Sequence, residues 1–537
     1  VYKAGNQRNG IYKEGVMEKK RLVVGALIVA GMFMTLLDTT IVDIALPHMM
    51  STFEVEPDDI QWVITSYMIA SAVSMPLVGW LGGKLGHRNT YLLGIGLFTL
   101  MSALCGLSPN LNAMIASRSL QGVGEGIAVP MTMTLLFELF PPEKRGIAMG
   151  MFALGATFGP SLGPTLGGYI TEHLNWRWIF YVNLLPGIVV IYLLGLLTEN
   201  RKDEGEKKLD LTGLILLALC LSSLITALSK GNSWGWNSEK TVFLLYSSFL
   251  SGALFTLWEL KTKEPLVELR LFKYKFFRYP VISLSLFGMG VYASYFLLPL
   301  YLEKLRGFPT ITAGEILFWP AFATGVVSLV AGFLIDKKVI SKKAAIVLGT
   351  LIFIVGTHLQ TRLDLYMSKR EIILYLLPWG AGMGFFFPAL SQISLGNFKG
   401  ELLRHASGIQ NLLRLVGGSV GTAISTYILI SSQGKHLVNM AQRVSKNSPQ
   451  VIYFIEKLKE NFYYELSTQV PFLKAKAEAV LGSLYQKHAF WHSFGDAFFF
   501  ATICGVLTLI PAILVEEKVE KGDSDSSISS LNGSKPV

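Results

Sequence analysis

Charge is scarce in this sequence of 537 residues. Only 16% are Asp, Glu, Lys or Arg, against roughly a quarter in an ordinary soluble domain. Cysteine is scarcer still: Cys105, Cys220 and Cys504 each lie in an apolar run, without metal-ligand spacing, and read as small core residues with no disulfide. There is no nucleotide loop, no Ser/His/Asp arrangement and no cluster of metal ligands, so an enzyme is not expected and no cofactor or metal is called for. No cleavable signal peptide is visible, because the first twenty residues are polar and the first apolar run exceeds a signal h-region. Met17 is a candidate start, since the polar stretch before it carries no pattern.

What fills the chain instead is apolar: 51% hydrophobic residues and a mean hydropathy of +0.46. These residues fall in runs of about twenty, the length that spans a hydrocarbon core of roughly 30 Å at 1.5 Å per helical residue. The pattern predicts an all-α integral membrane protein with fourteen spans, near 22–46, 60–81, 90–107, 112–137, 147–170, 178–198, 210–229, 241–260, 280–302, 312–335, 344–361, 372–395, 408–431 and 493–515. The net charge of +10 concentrates in alternate short loops, which reads as topology and not as a nucleic-acid surface. Lys19, Lys20 and Arg21, then Lys84 and Arg88, Lys144 and Arg145, Arg201 to Lys208, Lys261 to Arg278, and Lys337 to Lys343 mark one side; loops 47–59 and 108–111 have no Lys or Arg. By the positive-inside rule both termini are expected in the cytoplasm.

The spacing divides the chain into tail 1–21, a six-helix bundle over 22–198, an inserted helix pair over 210–260 packed outside the bundles, a second six-helix bundle over 280–515 that includes an outer segment 432–492, and tail 516–537. A faint repeat links the halves. Gly79 to Arg88, with Gly79, Gly83, Gly86 and Arg88, follows span two; Gly332 to Lys338, with Asp336, follows the second span of the other half. Glycine permits close, tight turning there, and the basic residues hold the turn at an anionic surface.

Three spans carry residues that lipid would not tolerate. In the first, Asp38 lies about 24 Å along the helix, inside the hydrocarbon layer. An acid there must face a wet cavity, pair, or take up a proton, and a structural pair or cap stays open as an alternative. Asp43 is roughly 140° around the helix from it, near the outer mouth. In the fourth, Arg118, Gln121, Gly122 and Glu125 fall at i, i+3, i+4 and i+7, on one face. Arg118 sits roughly 10 Å below the outer surface, at the depth of Asp38, so the two can pair, with Glu125 deeper. In the fifth, Gly155, Gly159, Gly163 and Gly167, with Gly168 beside them, offer a flat face, and Pro160 and Pro164 each remove a helix hydrogen bond and favour a kink.

In these motifs the chain resembles the major facilitator superfamily, and within it the fourteen-span drug:proton antiporters, the group including EmrB and QacA. Asp38 to Pro47 is similar to that group's first-helix signature, Arg118-x-x-Gln121-Gly122-x-Gly124 to its proton-transfer motif on the fourth helix, Gly155 to Gly168 to the antiporter motif on the fifth, and Gly79 to Arg88 to its gating loop. The resemblance runs from about residue 22 to 515 and implies two bundles rocking about a central site. It implies inward protons driving small amphipathic toxic compounds or drugs out of the cell. There are departures. Gly83 stands where the gating loop usually has an acid, which predicts a weaker latch, whereas Asp336 is kept; Glu125 replaces a small residue, and Asp43 an asparagine. Asp38, Arg118 and Glu125 are the expected proton-coupling residues. An uptake permease of the same fold is the competing reading.

The second half is less explicit. Arg414 lies about 9 Å inside span thirteen and either faces protein or water or snorkels; His405 and His492 read as interfacial. Asp43, Gln121, Tyr292, Tyr295, Phe296, Trp319 and Trp379 are the candidates for a substrate cavity, the aromatics suiting flat, apolar or cationic molecules. In the outer segment, Ile452, Ile455, Leu458, Phe462 and Leu466 recur as on one helix face, and a second helix is expected after Pro471. Either this hairpin folds onto its own transporter, or, as the resemblance implies, Ile455, Leu458 and Phe462 dock a periplasmic adaptor (an EmrA-like membrane fusion protein) joined to an outer-membrane channel. The latter would place the chain in the inner membrane.

Overall fold

The computed structural model describes residues 2–200, 202, 208–443, 449, 452, 453, 456, 457 and 470–517. Among the described residues there is no strand. The chain folds as helices α1 (Tyr2–Phe53), α2 (Trp62–Ser74), α3 (Leu77–Leu85), α4 (His87–Leu107), α5 (Leu111–Leu139), α6 (Arg145–His173) and α7 (Leu184–Leu197). They are followed by α8 (Leu211–Trp234), α9 (Glu239–Lys261), α10 (Lys275–Leu300), α11 (Thr310–Asp336), α12 (Lys342–Gln360), α13 (Lys369–Leu395), α14 (Gly400–Arg443) and α15 (Val470–Ile513). All fourteen expected segments fall on helix. Among the described residues twelve helical stretches are long and apolar enough to cross a membrane, α7 counting together with the short helix Trp178–Tyr181 before it, and α2 and α3 together make a further candidate, bent by 61°. Pro76 sits at that bend and cannot donate the hydrogen bond that would carry the helix through, so the single straight span expected over 60–81 is two pieces. α5 is 29 residues, about 43 Å at the α-helical rise, but its polar face leaves it short of the same apolar standard.

Two expected boundaries move. α14 and α15 are 44 residues each, about 66 Å, twice a hydrocarbon core. The outer segment therefore does not start as a separate hairpin: its two ends are continuations of the spans that flank it. Where they run side by side, the Nε2 of His436 lies 2.8 Å from Oδ2 of Asp496, and the His436 and His492 rings are 5.4 Å apart. Ile455, Leu458 and Phe462 lie outside the described residues.

The seam between the halves is built by glycine. α6 packs against α1 on one face and α11 on another. A Cβ on Gly155 would lie 2.7 Å from Val29, one on Gly159 3.0 Å from Leu36, and one on Gly167 2.9 Å from Ile41. Gly159 is one turn beyond Gly155 and Gly167 two turns further, all on one face, so the helix carrying Asp38 lies flush along α6. On the other face, Gly150 approaches the backbone of Ser328, and Gly168 meets Thr310. α6 stays an unbroken helix through Pro160 and Pro164. Pro164 has no N–H for the carbonyl of Pro160, and the Thr40 hydroxyl of α1 donates to that carbonyl at 3.0 Å instead. The bond the sequence removes is thus replaced from the neighbouring helix.

Candidate functional site

Asp38 and Arg118 form an ion pair with no solvent exposure on either residue. Removing two charges from water is costly unless their remaining valences are filled, and here most are. The second Asp38 oxygen accepts from Asn183 Nδ2 at 2.8 Å; that amide also donates to Ser102 Oγ at 3.1 Å. Arg118 Nη1 donates to Gln121 Oε1 at 2.8 Å, and Nε to the Val63 carbonyl at 3.2 Å. The guanidinium lies flat over the Tyr67 ring, 4.0 Å from its centroid. α1, α2, α4, α5 and the turn before α7, which carries Asn183, each contribute to this knot, and Gly122 makes it fit by letting α5 press against the Tyr67 backbone.

Arg118 also faces a cavity of about 510 Å³ between the two halves. Thus one side of the guanidinium holds Asp38 and the other is wall. Asp43 and Glu125 line the same cavity, as do Tyr292, Tyr295 and Phe296 of α10. Asp43 is exposed to that space, whereas Glu125 is 5% exposed. Across the cavity stands Arg414 of α14, whose Nε has no hydrogen-bond partner. It lines the cavity, which decides between the two readings of this residue. A pocket with two acids and an arginine from one half, and tyrosines and an arginine from the other, can hold an amphipathic molecule by its apolar area and its charge.

Other expected members are placed elsewhere. Gln121 is behind the wall, bound to Arg118. Trp379 is 2% exposed and supports Tyr295 from behind, with ring centroids 5.2 Å apart. Trp319 does not reach the cavity: it is 43% exposed, on the flank of α11 beside Phe318 and Phe322. In a membrane protein an aromatic residue facing lipid looks the same in sequence as one facing the centre, which is why its side was misjudged.

The end of the bundle that carries the basic loops, here the basic end, is closed by contacts across the halves. Asp336 accepts from the backbone amides of Gly146 and Ile147, at 2.8 and 3.0 Å, at the start of α6. Arg404 of α14 lies over Gly82 and Gly83, donates to the Gly79 carbonyl at 3.2 Å, and meets His87 Nε2 at 2.5 Å. His87 in turn meets Glu138 at 2.7 Å. At this corner, where Gly83 predicted a weaker latch, the charge in contact comes from Arg404 and has the opposite sign. His405 is 8% exposed and not interfacial, its ring lying where a Cβ on Gly79 would be only 2.6 Å away. Gly86, at φ +83°, makes the turn between α3 and α4 that a side chain would strain. Arg88 donates to the Thr198 carbonyl at 2.8 Å, tying the loop to the end of α7.

Sequence reasoning missed Asn183, Arg404 and the His87–Glu138 contact. The signal for Asn183 was a lone amide within an apolar run; Arg404 had no local signal, since its Gly79 partner lies 325 residues away.

Comparison with known proteins follows the same line. The family profile described as Major Facilitator Superfamily matches residues 28–422. The chain is 30% identical to the uncharacterized MFS-type transporter YhcA of Bacillus subtilis over 91% of this chain and 92% of that one. It is 30% identical to the multidrug transporter protein MdtP of the same organism, over 80% and 78%, and 28% identical to the multidrug export protein EmrB of Escherichia coli, over 81% and 85%. Among solved structures it is similar to the human organic anion transporter MFSD10, with a TM-score of 0.58 at 15% identity covering 92% of this chain and 99% of that one. A XylE structure gives 0.59 at 15% identity, covering 96% and 98%.

Proposed function

The chain belongs to the major facilitator superfamily, and on that premise we propose that this multi-pass membrane transporter exports amphipathic toxic compounds in exchange for protons, by alternating access. The observation that carries the proposal is the buried Asp38–Arg118 pair, whose arginine lines the cavity and whose acid stands behind it. Asp38 takes up a proton when the cavity faces the proton-rich side. Neutralising it releases Arg118, and the guanidinium then shifts the electrostatics of a cavity whose other charged groups are Asp43, Glu125 and Arg414. Glu125 is the second proton-carrying group, and a cationic substrate competes with the proton for the acids. A relative named as a multidrug export protein supports the direction of transport. The reading includes fourteen crossings with α5 among them and both termini in the cytoplasm. Cysteines at Asn89 and Asn110 should then label from opposite sides.

Purified protein in liposomes, given a panel of fluorescent cationic dyes, should expel dye against its gradient only when a pH gradient of the right sign is imposed. Movement indifferent to the pH gradient would reject proton coupling.

A finer reading concerns the outer segment 432–492. We assign it to docking of a periplasmic adaptor, with an outer-membrane channel beyond, which puts the chain in an inner membrane. The reach of α14 and α15 past a hydrocarbon core supports a surface held away from the lipid. Replacing Ile455, Leu458 and Phe462 with serine should spare liposome transport and abolish adaptor co-purification; unchanged co-purification refutes docking through this stripe.

A further inference from the structure

Of the inserted pair, expected to pack outside the bundles, α9 does so and α8 lines the cavity. α9 carries Phe243, Tyr246, Phe249 and Leu257 at 57% to 76% exposure, so it presents a lipid face. α8 lies inward of it, between α2 of the N-terminal half and α14 of the C-terminal half. Ile225, Leu228, Ser229 and Asn232 all line the central cavity. They fall at i, i+3, i+4 and i+7, which is one stripe of one helix. The inserted helix is therefore a wall of the cavity, standing where the two halves would otherwise open sideways to lipid.

Its attachments to the halves are unequal. To the N-terminal half, Ser229 Oγ accepts from Gln61 Nε2 at 3.2 Å and shares a hydrogen bond with Thr65 Oγ1 at 3.0 Å. Lys230, 1% exposed, is held by the carbonyl and carboxylate of Asp58. To the C-terminal half, Asn232 Nδ2 reaches the Ala423 carbonyl at 3.4 Å, and Trp236, whose Nε1 donates to Asn232 Oδ1 at 2.9 Å, sets its edge toward Tyr427 at 6.4 Å. The C-terminal side thus has one neutral hydrogen bond at 3.4 Å, while the N-terminal side has the Ser229 contacts and a buried ammonium close to the Asp58 carbonyl, with the Asp58 carboxylate also at 3.4 Å.

We propose that α8 is a moving wall of the transport path, carried with the N-terminal half and sliding on α14, and that its Leu228–Asn232 face touches the transported molecule. This rests on the transporter reading above. When two bundles rock about a central site, a helix bonded to both must release one of them. The weaker contact, Asn232 with Ala423, is the one that breaks. The polar part of the stripe then gives an amphipathic substrate hydrogen-bonding groups on a third side of the cavity, besides the charged N-terminal wall and the tyrosines of α10.

The test uses the full chain in liposomes, with Cys105, Cys220 and Cys504 replaced by alanine. A cysteine at Asn232 should react with a charged methanethiosulfonate reagent, and saturating ethidium should slow that reaction several-fold. A cysteine at Phe249, on the lipid face of α9, should stay inert. Equal inertness at the two positions, or no protection by ethidium at Asn232, overturns the proposal. Two locks made with a short, reducible bis-methanethiosulfonate then ask which half α8 follows. Asp58→Cys with Lys230→Cys should leave ethidium export intact; Trp236→Cys with Tyr427→Cys, across the α8–α14 boundary and outside the cavity lining, should stop it, with dithiothreitol restoring it. Export surviving both locks, or lost in both, contradicts the sliding wall. Ethidium export by the cysteine-free protein is the control. Its failure counts against the exporter reading, while the labelling contrast between positions 232 and 249 still decides where α8 faces.

Discussion

At the basic end, the C-terminal half reaches into the N-terminal half at two corners, with a carboxylate at one and a guanidinium at the other. Asp336 accepts from two amides at the start of α6, where the helix dipole favours negative charge. At the related corner Gly83 leaves no acid, and Arg404 comes from α14 to a backbone carbonyl and to His87, itself beside Glu138. Both corners join the halves, yet only the first uses the charge that a helix N-terminus favours unaided. The second needs a longer relay of partners to hold a buried cation. The two corners thus join the halves with contacts of opposite polarity. Gly83 looked like a weakness in the sequence because Arg404 lies in the other half of the chain.

The comparison can be broken most severely at Arg404. Arg404→Ala removes a charge-assisted hydrogen bond across the halves, on the order of 1.5–3 kcal/mol, and leaves the Gly79 carbonyl without that donor. The equilibrium between open and closed basic ends should shift by at least about tenfold, since 1.4 kcal/mol is a factor of ten. A cysteine at Ser407, fully buried against Thr134, reports it by becoming reactive from the basic side. Asp336→Asn should act in the same direction but less, because the amide oxygen still accepts one of the two bonds; the other is lost, with the charge–dipole part of about 0.3–1 kcal/mol. The same Ser407 label measures it; a larger effect than Arg404→Ala would reverse the ranking of the corners. Gly83→Asp sharpens the comparison from the other side. A Cβ there would lie 3.5 Å from Arg404 Nη2 without a clash, so an acid can pair with the guanidinium. The closed basic end should gain a few tenths of a kcal/mol up to about 1 kcal/mol, as for a partly exposed ion pair, seen as slower Ser407 labelling and slower turnover. The smallest effect is expected from Trp319→Ala, whose lipid-flank position predicts dye transport within about twofold of the unsubstituted protein, since surface changes away from special features stay near 0.5 kcal/mol. A selective loss of one dye would return Trp319 to the cavity.

Much of the membrane plan was legible because helix length and loop charge are set by bilayer thickness and surface potential, which act on each segment alone. Depth was legible too: counting 1.5 Å per residue put Asp38 and Arg118 at one level, and these side chains meet. The glycine face of α6 could be read from its four-residue period, and it packs on α1. Which side of an apolar helix faces lipid was harder, because lipid tails are as apolar as a packed leucine. Trp319 and the cavity face of α8 were therefore invisible to periodicity. Asn183 and Arg404 were missed for a different reason: their partners, Asp38 and Gly79, lie 145 and 325 residues away, and no local spacing encodes such contacts.

The central claim is that the buried Asp38 carboxyl couples proton entry to export. It is tested most directly by comparing the unsubstituted protein with Asp38→Asn in the same liposomes, loaded with one dye and given an imposed pH gradient. The account predicts that the unsubstituted protein drives dye uphill and that Asp38→Asn, folded and able to bind dye, does not respond to the gradient. Undiminished pH-driven export by Asp38→Asn would contradict it.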